Sequence, residues 1–159
     1  MNKKISLVVG LFLLSAASGW AYDRHLASTY EDLFSQVKGQ NVGKALNVMT
    51  PQVFVNRLKL QAKMVPIDIR TPSESGIFGL LTPGSLQIPL DQLFKPRNLD
   101  RIPTDIPVVL ICSSGARSAG AAIALRHLGF SNVHVLKGGF KELSSYLEDP
   151  KVANQAPDQ

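Results

Sequence analysis

The chain has 159 residues but a single cysteine, Cys112, and this scarcity excludes several classes of protein. One cysteine cannot form an intramolecular disulfide, so the fold does not depend on a disulfide framework. The sequence contains no C-x-x-C or H-E-x-x-H spacing, and its three histidines, His25, His127 and His134, are isolated. We therefore expect no metal site. No internal repeat is visible, which argues against a repeat architecture.

Basic residues outnumber acidic ones, but they do not form a stripe. The formal net charge is +5, and the only loose cluster combines Lys95, Arg97 and Arg101. No aromatic residues are interleaved with basic ones in the manner of a nucleic-acid-binding surface. We therefore expect no nucleic-acid partner, whereas a mildly basic protein suits a small anionic substrate.

The first 21 residues have the layout of a secretory signal. A short basic start, Asn2 to Lys4, precedes an apolar stretch from Ile5 to Ala17, and Gly19-Trp20-Ala21 offers a cleavage site before Tyr22. The protein is therefore predicted to be periplasmic or otherwise exported. The alternative is an uncleaved membrane anchor, and only then do we expect the chain to contact a membrane. We divide the rest into an N-terminal extension (22–44), one domain (45–149) and a disordered tail (150–159).

Within the domain, apolar runs alternate with helix-like segments. Strands are predicted at 45–48, 64–69, 86–88, 108–111 and 133–136, and helices at 51–63, 117–128 and 140–148, after a short helix at 30–37. The segment 71–84 reads as irregular and 96–107 as a proline-rich connection. Val108 to Ile111 is apolar on both faces, as in a doubly covered parallel sheet. We therefore predict an α/β fold with an open, mostly parallel sheet of about five strands flanked by helices, and a ligand site beyond the carboxyl ends of the strands.

Cys112 lies at such an end, where the strand 108–111 turns into a helix. Four residues separate it from Arg117. A tight loop between a strand-end cysteine and an arginine at a helix start predicts an anion cradle, in which backbone N–H groups and a helix dipole stabilise a thiolate. Cys112 is the predicted nucleophile. The predicted substrate-binding residues are those of the loop, Ser113, Ser114, Gly115, Ala116, Arg117 and Ser118.

Several segments, in order, resemble the rhodanese family of sulfurtransferases. They are the six-residue loop from Cys112 to Arg117, the D-x-R-x-x-x-E segment from Asp68 to Glu74, the P-G-S and I-P pieces at 83–85 and 88–89, and L-x-G-G-F at 136–140. The resemblance covers about residues 46–147. The sequence departs from the family at Leu81, where a histidine is common, and in the spacer 75–80. We expect structural roles for Asp68 and Arg70, which would fix the loop next to the site by charge pairing, and likewise for Glu74, and we expect Gly138-Gly139 to form a tight turn.

The resemblance also implies a reaction. Cys112 would take a sulfane sulfur from a small anionic donor such as thiosulfate, become a persulfide, and pass the sulfur to a thiophilic acceptor without any cofactor. A protein thiol or persulfide partner is a further expectation. Two alternatives stay open: a non-enzymatic persulfide carrier or binding module, and a cysteine phosphatase or arsenate reductase. The four-residue spacing disfavours the latter, because the resemblance to cysteine phosphatases would require five residues between cysteine and arginine.

Overall fold

The computed structural model describes residues 21–148. The predicted signal sequence, apart from Ala21, and the predicted disordered tail lie outside the described residues. Helix α1 (Arg24–Ser35) belongs to an N-terminal unit that ends at Ser35. It starts earlier than predicted because the Asp23 carboxylate, 3.0 Å from the Leu26 N–H, accepts a hydrogen bond at the helix start. No helix between residues 21 and 148 has the length and apolar character needed to span a bilayer.

The second unit begins at Gln36 and contains the sheet. A 3-10 turn (Gly39–Asn41) and a short helix α2 (Val42–Ala45) precede strand β1 (Val48–Met49). The prediction of a strand at 45–48 is wrong for its first residues. The Leu46 N–H donates to the Val42 carbonyl, which extends the helical turn, and Asn47 has a positive φ of 51° before the strand begins.

Two further helix predictions need correction. Helix α3 (Pro51–Lys59) begins as predicted, with Thr50 as its cap, but it ends four residues early because Gln61 adopts a left-handed φ of 53°. Helix α4 (Pro72–Ile77) lies in the segment predicted to be irregular. Its start is a capping box between Thr71 and Glu74, which outweighs the turn-forming composition of the segment.

The other strands and the helices at 116–127 and 139–148 follow the predicted alternation, but a short helix at 96–99 lies in the segment predicted to be a proline-rich connection. Pro96 occupies the first position of this helix, where its missing N–H costs no hydrogen bond. The remaining elements are β2 (Val65–Asp68), β3 (Leu86–Gln87), α5 (Leu90–Leu93), α6 (Pro96–Leu99), β4 (Val108–Ile111), α7 (Ala116–His127), β5 (Val133–Leu136) and α8 (Gly139–Glu148). The five strands form one sheet in the order β1-β5-β4-β2-β3, and every pairing is parallel. The predicted open parallel α/β sheet is confirmed.

Strand β4 lies at the centre of the sheet and is buried on both faces. Val108 and Leu110 pack into the core beneath α7, whereas Val109 and Ile111 pack into the core beneath α3 and α8. The alternation continues into the next residue, so Cys112 belongs to the core on the α7 side. The sheet therefore places the cysteine at its carboxyl edge, directly below the start of α7.

Candidate active site

Cys112 is the first residue after β4, and its side chain is fully buried (0% exposed). Its Sγ accepts a hydrogen bond from the Gly115 N–H at 3.1 Å. The chain curls back on itself through Gly115, whose φ of +91° is one that glycine adopts far more readily than other residues. The loop therefore presents its backbone to the sulfur, as the strand-to-helix turn predicts.

The start of α8 holds the other side of the loop. The Phe140 N–H donates to the Cys112 carbonyl at 2.7 Å, and the Lys141 N–H donates to the Ser113 carbonyl at 3.1 Å. Because the Ser113 carbonyl is bound from behind, the N–H of the next residue, Ser114, is left to face the sulfur. The two loop carbonyls thus accept hydrogen bonds from N–H groups in the first turn of α8, which have no acceptor within that helix.

Gly139 makes this approach possible. It has a φ of +59°, and a Cβ at this position would lie 2.3 Å from the Cys112 carbonyl oxygen and 2.8 Å from the Gly115 nitrogen. No side chain fits there. The sequence predicts a tight turn at Gly138-Gly139, but the structure shows that Gly139 also contacts the cysteine loop. The only sequence signal for this contact is the pair of glycines next to the strand end.

The pKa of Cys112 is lowered despite the burial of the thiol. Burial by itself opposes ionisation, but the neighbouring Ser118 hydroxyl and the N–H groups of Ser118, Ser114 and Gly115 together favour the thiolate more strongly. The site is therefore arranged for the reactive form of cysteine.

Ser118 is the side chain in the loop that acts most directly on the sulfur. It is fully buried in the first turn of α7, and its hydroxyl makes no hydrogen bond of standard geometry with the described residues. It nevertheless helps lower the pKa of Cys112. A buried hydroxyl with no other partner is available to donate to a negative charge at the sulfur.

A pH profile of thiol alkylation tests this arrangement. The rate with iodoacetamide rises with pH as the thiolate forms, so a lowered pKa moves the midpoint below that of an unstructured cysteine peptide. We expect Ser118→Ala to move the midpoint upward, because one donor to the thiolate is lost. Ser131→Ala, which removes an exposed hydroxyl after α7, serves as the control and should leave the midpoint in place. An unchanged midpoint in Ser118→Ala contradicts the assigned role.

Arg117 is held by Glu74. Its two terminal nitrogens donate to the two carboxylate oxygens, Nη1 to Oε2 at 2.9 Å and Nη2 to Oε1 at 2.6 Å. The pKa of Arg117 is raised chiefly by this hydrogen bonding, against the opposing effect of burial, with smaller contributions from the charge of Glu74 and from Cys112. Arg117 therefore lies near the sulfur but shares its charge with a carboxylate, and donor binding by Arg117 stays a prediction.

Asp68 and Arg70 form a buried ion pair beside the site. Arg70 donates from Nη2 to Asp68 Oδ2 at 2.6 Å, and both side chains are 4% exposed. The Arg70 guanidinium also donates to the Phe78 carbonyl and lies over the Phe140 ring, 4.0 Å from its centroid. The pair thus links the end of β2 to the segment after α4 and to the start of α8. This arrangement supports the predicted structural role.

The remaining predicted loop residues differ in position. Ser113, Ser114 and Ala116 are exposed. Ser114 acts on the sulfur through its N–H, whereas Ser113 offers its carbonyl to α8 and Ala116 begins α7. No group of three or more histidine, cysteine or acidic side chains suited to a metal occurs within residues 21–148.

Exposed apolar side chains follow Glu74. Ile77, Phe78 and Leu81 are 74%, 67% and 96% exposed. Ile77 ends α4, Phe78 lies in the spacer 75–80, and Leu81 is the position at which the family commonly has a histidine. These apolar residues follow closely after Glu74, whose carboxylate holds Arg117.

Residues 50–146 match the rhodanese-like domain family, and the chain belongs to this family of sulfurtransferases. A sulfurtransferase of Allochromatium vinosum is 35% identical over 94 residues, covering 59% of this chain and 84% of that protein. An uncharacterised protein of Bacillus subtilis is 40% identical over 85 residues, covering 54% of this chain. The match spans 64% of the Bacillus protein, less than two thirds of its length.

Solved structures agree with the fold. A human single-domain sulfurtransferase superposes with a TM-score of 0.52 at 21% identity, covering 62% of this chain and 96% of that chain. An NAD-dependent persulfide reductase from A. fulgidus gives a TM-score of 0.50 at 29% identity, covering 64% of this chain and 17% of that chain. The match to the family model over residues 50–146 confirms the predicted rhodanese resemblance, and the solved structures agree with its fold.

Proposed function

We propose that the protein transfers sulfane sulfur from a donor such as thiosulfate to a thiophilic acceptor through a persulfide on Cys112. One observation carries the proposal: a lone, buried thiol sits at a strand end, where its sulfur accepts a hydrogen bond from the Gly115 N–H at 3.1 Å. Membership of the rhodanese-like sulfurtransferase family supports the reaction class.

The first step attaches sulfur to the enzyme. The Cys112 thiolate attacks the outer sulfur of thiosulfate, a new S–S bond forms, and the bond to the sulfonate group breaks with its electron pair leaving on sulfite. The N–H groups that favour the thiolate, from Ser114, Gly115 and Ser118, then stabilise the negative charge of the persulfide.

The second step returns the enzyme to its starting state. A nucleophilic acceptor attacks the outer sulfur of the persulfide, and the electron pair of the S–S bond returns to Cys112 as thiolate. Cyanide gives thiocyanate in this step, and a thiolate gives a new persulfide. No electrons are gained or lost overall, so the reaction needs no redox cofactor.

Intact mass spectrometry after incubation with thiosulfate tests the first step. We expect the wild-type chain to gain the mass of one sulfur and to lose it again when cyanide is added, with release of thiocyanate. Failure to gain sulfur from either thiosulfate or an organic persulfide would contradict the proposed function.

Turnover separates an enzyme from a sulfur carrier, the main alternative. A carrier accepts sulfur once, whereas an enzyme releases many equivalents of thiocyanate per chain in excess thiosulfate and cyanide. Hydrolysis of an aryl phosphate by the same preparation would instead favour the phosphatase alternative. A domain of this fold also occurs in a protein named as an NAD-dependent persulfide reductase.

A further inference from the structure

The ion pair between Glu74 and Arg117 is fixed from the side of α4. Glu74 is the third residue of that helix, and its Oε2 also accepts from the N–H and the hydroxyl of Thr71, both at 2.9 Å. The Thr71 hydroxyl in turn accepts from the Glu74 N–H at 3.3 Å. The carboxylate is therefore held in place by the helix start as well as by Arg117.

Glu74 is ionised throughout the pH range in which the enzyme would work. The Arg117 guanidinium, followed by the hydrogen bonds from Thr71, lowers the pKa of this carboxyl to about 2. Each charge of the pair is about one-third exposed, so the pair lies at the surface next to the buried sulfur. A full negative charge consequently accompanies the positive charge of Arg117.

The balance of charge at the site follows from these contacts. Arg117 is the one charged residue of the segment 113–118, and Glu74 offsets it. The nearby Asp68 and Arg70 also cancel each other. Once Cys112 ionises, these five groups sum to one negative charge, and the exposed Lys141 at the start of α8 is a nearby cation outside that sum. The five groups therefore favour a doubly charged anion less than a neutral or singly charged donor.

We propose that Glu74 is a specificity-determining residue that makes the site select organic hydropersulfides over thiosulfate. This inference rests on the proposed sulfur transfer and names its donor class. Because Glu74 accepts hydrogen bonds from both terminal nitrogens of the guanidinium, the positive charge that Arg117 offers a donor is partly offset, and the neutral N–H groups of the loop supply more of the attraction. The exposed Ile77, three residues after Glu74 on the same helix, and Phe78 beside it offer apolar contact to an organic group that thiosulfate lacks.

The transfer from a hydropersulfide is balanced. The Cys112 thiolate attacks the outer sulfur of R–S–SH, the new S–S bond forms, and the old S–S bond breaks with its electron pair leaving on the thiolate R–S⁻. The product on the enzyme is Cys112–S–SH. A single thiolate leaves the site, in place of the doubly charged sulfite released from thiosulfate.

Glu74→Gln isolates the charge of this residue. Glutamine is accepted at the same position of a capping box, so the start of α4 keeps its hydrogen bonds while the negative charge is removed. Asp105→Asn is the matched control. It removes one exposed carboxylate from the loop before β4, at the opposite end of that strand from Cys112.

The experiment measures the second-order rate of Cys112 persulfidation by rapid-mixing mass spectrometry, with thiosulfate and with benzyl hydropersulfide as donors. We expect Glu74→Gln to raise the rate with thiosulfate about tenfold, because the positive charge of Arg117 is then no longer offset by a carboxylate at short range. In the same variant, the rate with benzyl hydropersulfide should change less than about twofold. Asp105→Asn should leave both rates unchanged, because the Asp105 carboxylate lies farther from the sulfur than the screening distance of ~8 Å.

The outcomes separate this inference from the proposed function. An unchanged ratio of the two rates in Glu74→Gln overturns the inference, and so does an equal fall of both rates, which would make Glu74 a purely structural residue. If the variant does not fold, the salt dependence of the wild type decides. Added salt should speed thiosulfate relative to benzyl hydropersulfide, and the reverse overturns the inference. If neither donor labels the wild type, the proposed function itself fails.

Discussion

Replacing Cys112 with serine is expected to abolish sulfur uptake from every donor while leaving the chain folded. A serine hydroxyl does not ionise at neutral pH, so the variant has no nucleophile that can displace sulfite or a thiolate. The sequence offers no substitute, because Cys112 is its only cysteine. Serine keeps an acceptor for the Gly115 N–H, which in the wild type donates to the Cys112 sulfur.

Mass spectrometry and thermal unfolding together check this expectation. Cys112→Ser should show no added sulfur with either thiosulfate or benzyl hydropersulfide. Its free energy of unfolding should stay within about 1–2 kcal/mol of the wild-type value, since the hydrogen bond from Gly115 survives in altered form. Wild-type protein alkylated at Cys112 is a second control and should also remain unlabelled. A gain of one sulfur by folded Cys112→Ser would show that Cys112 is not the acceptor.

The second large effect is expected from Gly139→Ala. A Cβ at this position would lie 2.3 Å from the Cys112 carbonyl oxygen and 2.9 Å from the Ser113 carbonyl carbon, both of which are backbone atoms. The left-handed φ of +59° adds strain for alanine. Together, the left-handed backbone and the overpacking should lower the free energy of unfolding by about 2–5 kcal/mol.

The same substitution should affect activity through the loop. Displacing the loop by an ångström misaligns the N–H groups around the sulfur, and we expect the rate of persulfidation to fall about 100-fold. The control is Gly120→Ala in α7, where an added Cβ meets nothing within 4 Å. That change should be neutral or stabilising by up to ~1 kcal/mol, because alanine is the better helix former. Wild-type rates in folded Gly139→Ala would contradict the role given to this glycine.

The sequence predicts the centre of this protein better than its periphery. The apolar run of β4, followed by a cysteine and a small-residue helix, is enough to predict a parallel sheet with a reactive thiol at its edge. These features are local, because strand periodicity, burial on both faces and a helix start all lie within residues 108–128. The structure adds little to their placement.

The contacts across the site were not predictable from spacing. Glu74 and Arg117 lie 43 positions apart, and their meeting depends on how β2 and β4 pair in the sheet. Helix α4 was missed because its glycine and serine content suggests a loop, although Thr71 and Glu74 have the spacing of a capping box. The approach of Gly139 to Cys112 is likewise a tertiary contact, visible in the sequence only as a pair of glycines.

The hydrogen bonds from Phe140 and Lys141 to the cysteine loop have a consequence for biosynthesis. The chain is made from its amino end, so Cys112 emerges well before the segment that binds its carbonyl. Until that segment docks, the loop lacks two of the hydrogen bonds that hold its backbone, and we expect Cys112 to behave as an ordinary thiol. We therefore expect an incomplete chain to hold less thiolate at Cys112 than the folded domain, and so to react more slowly with oxidants and electrophiles until α8 is in place.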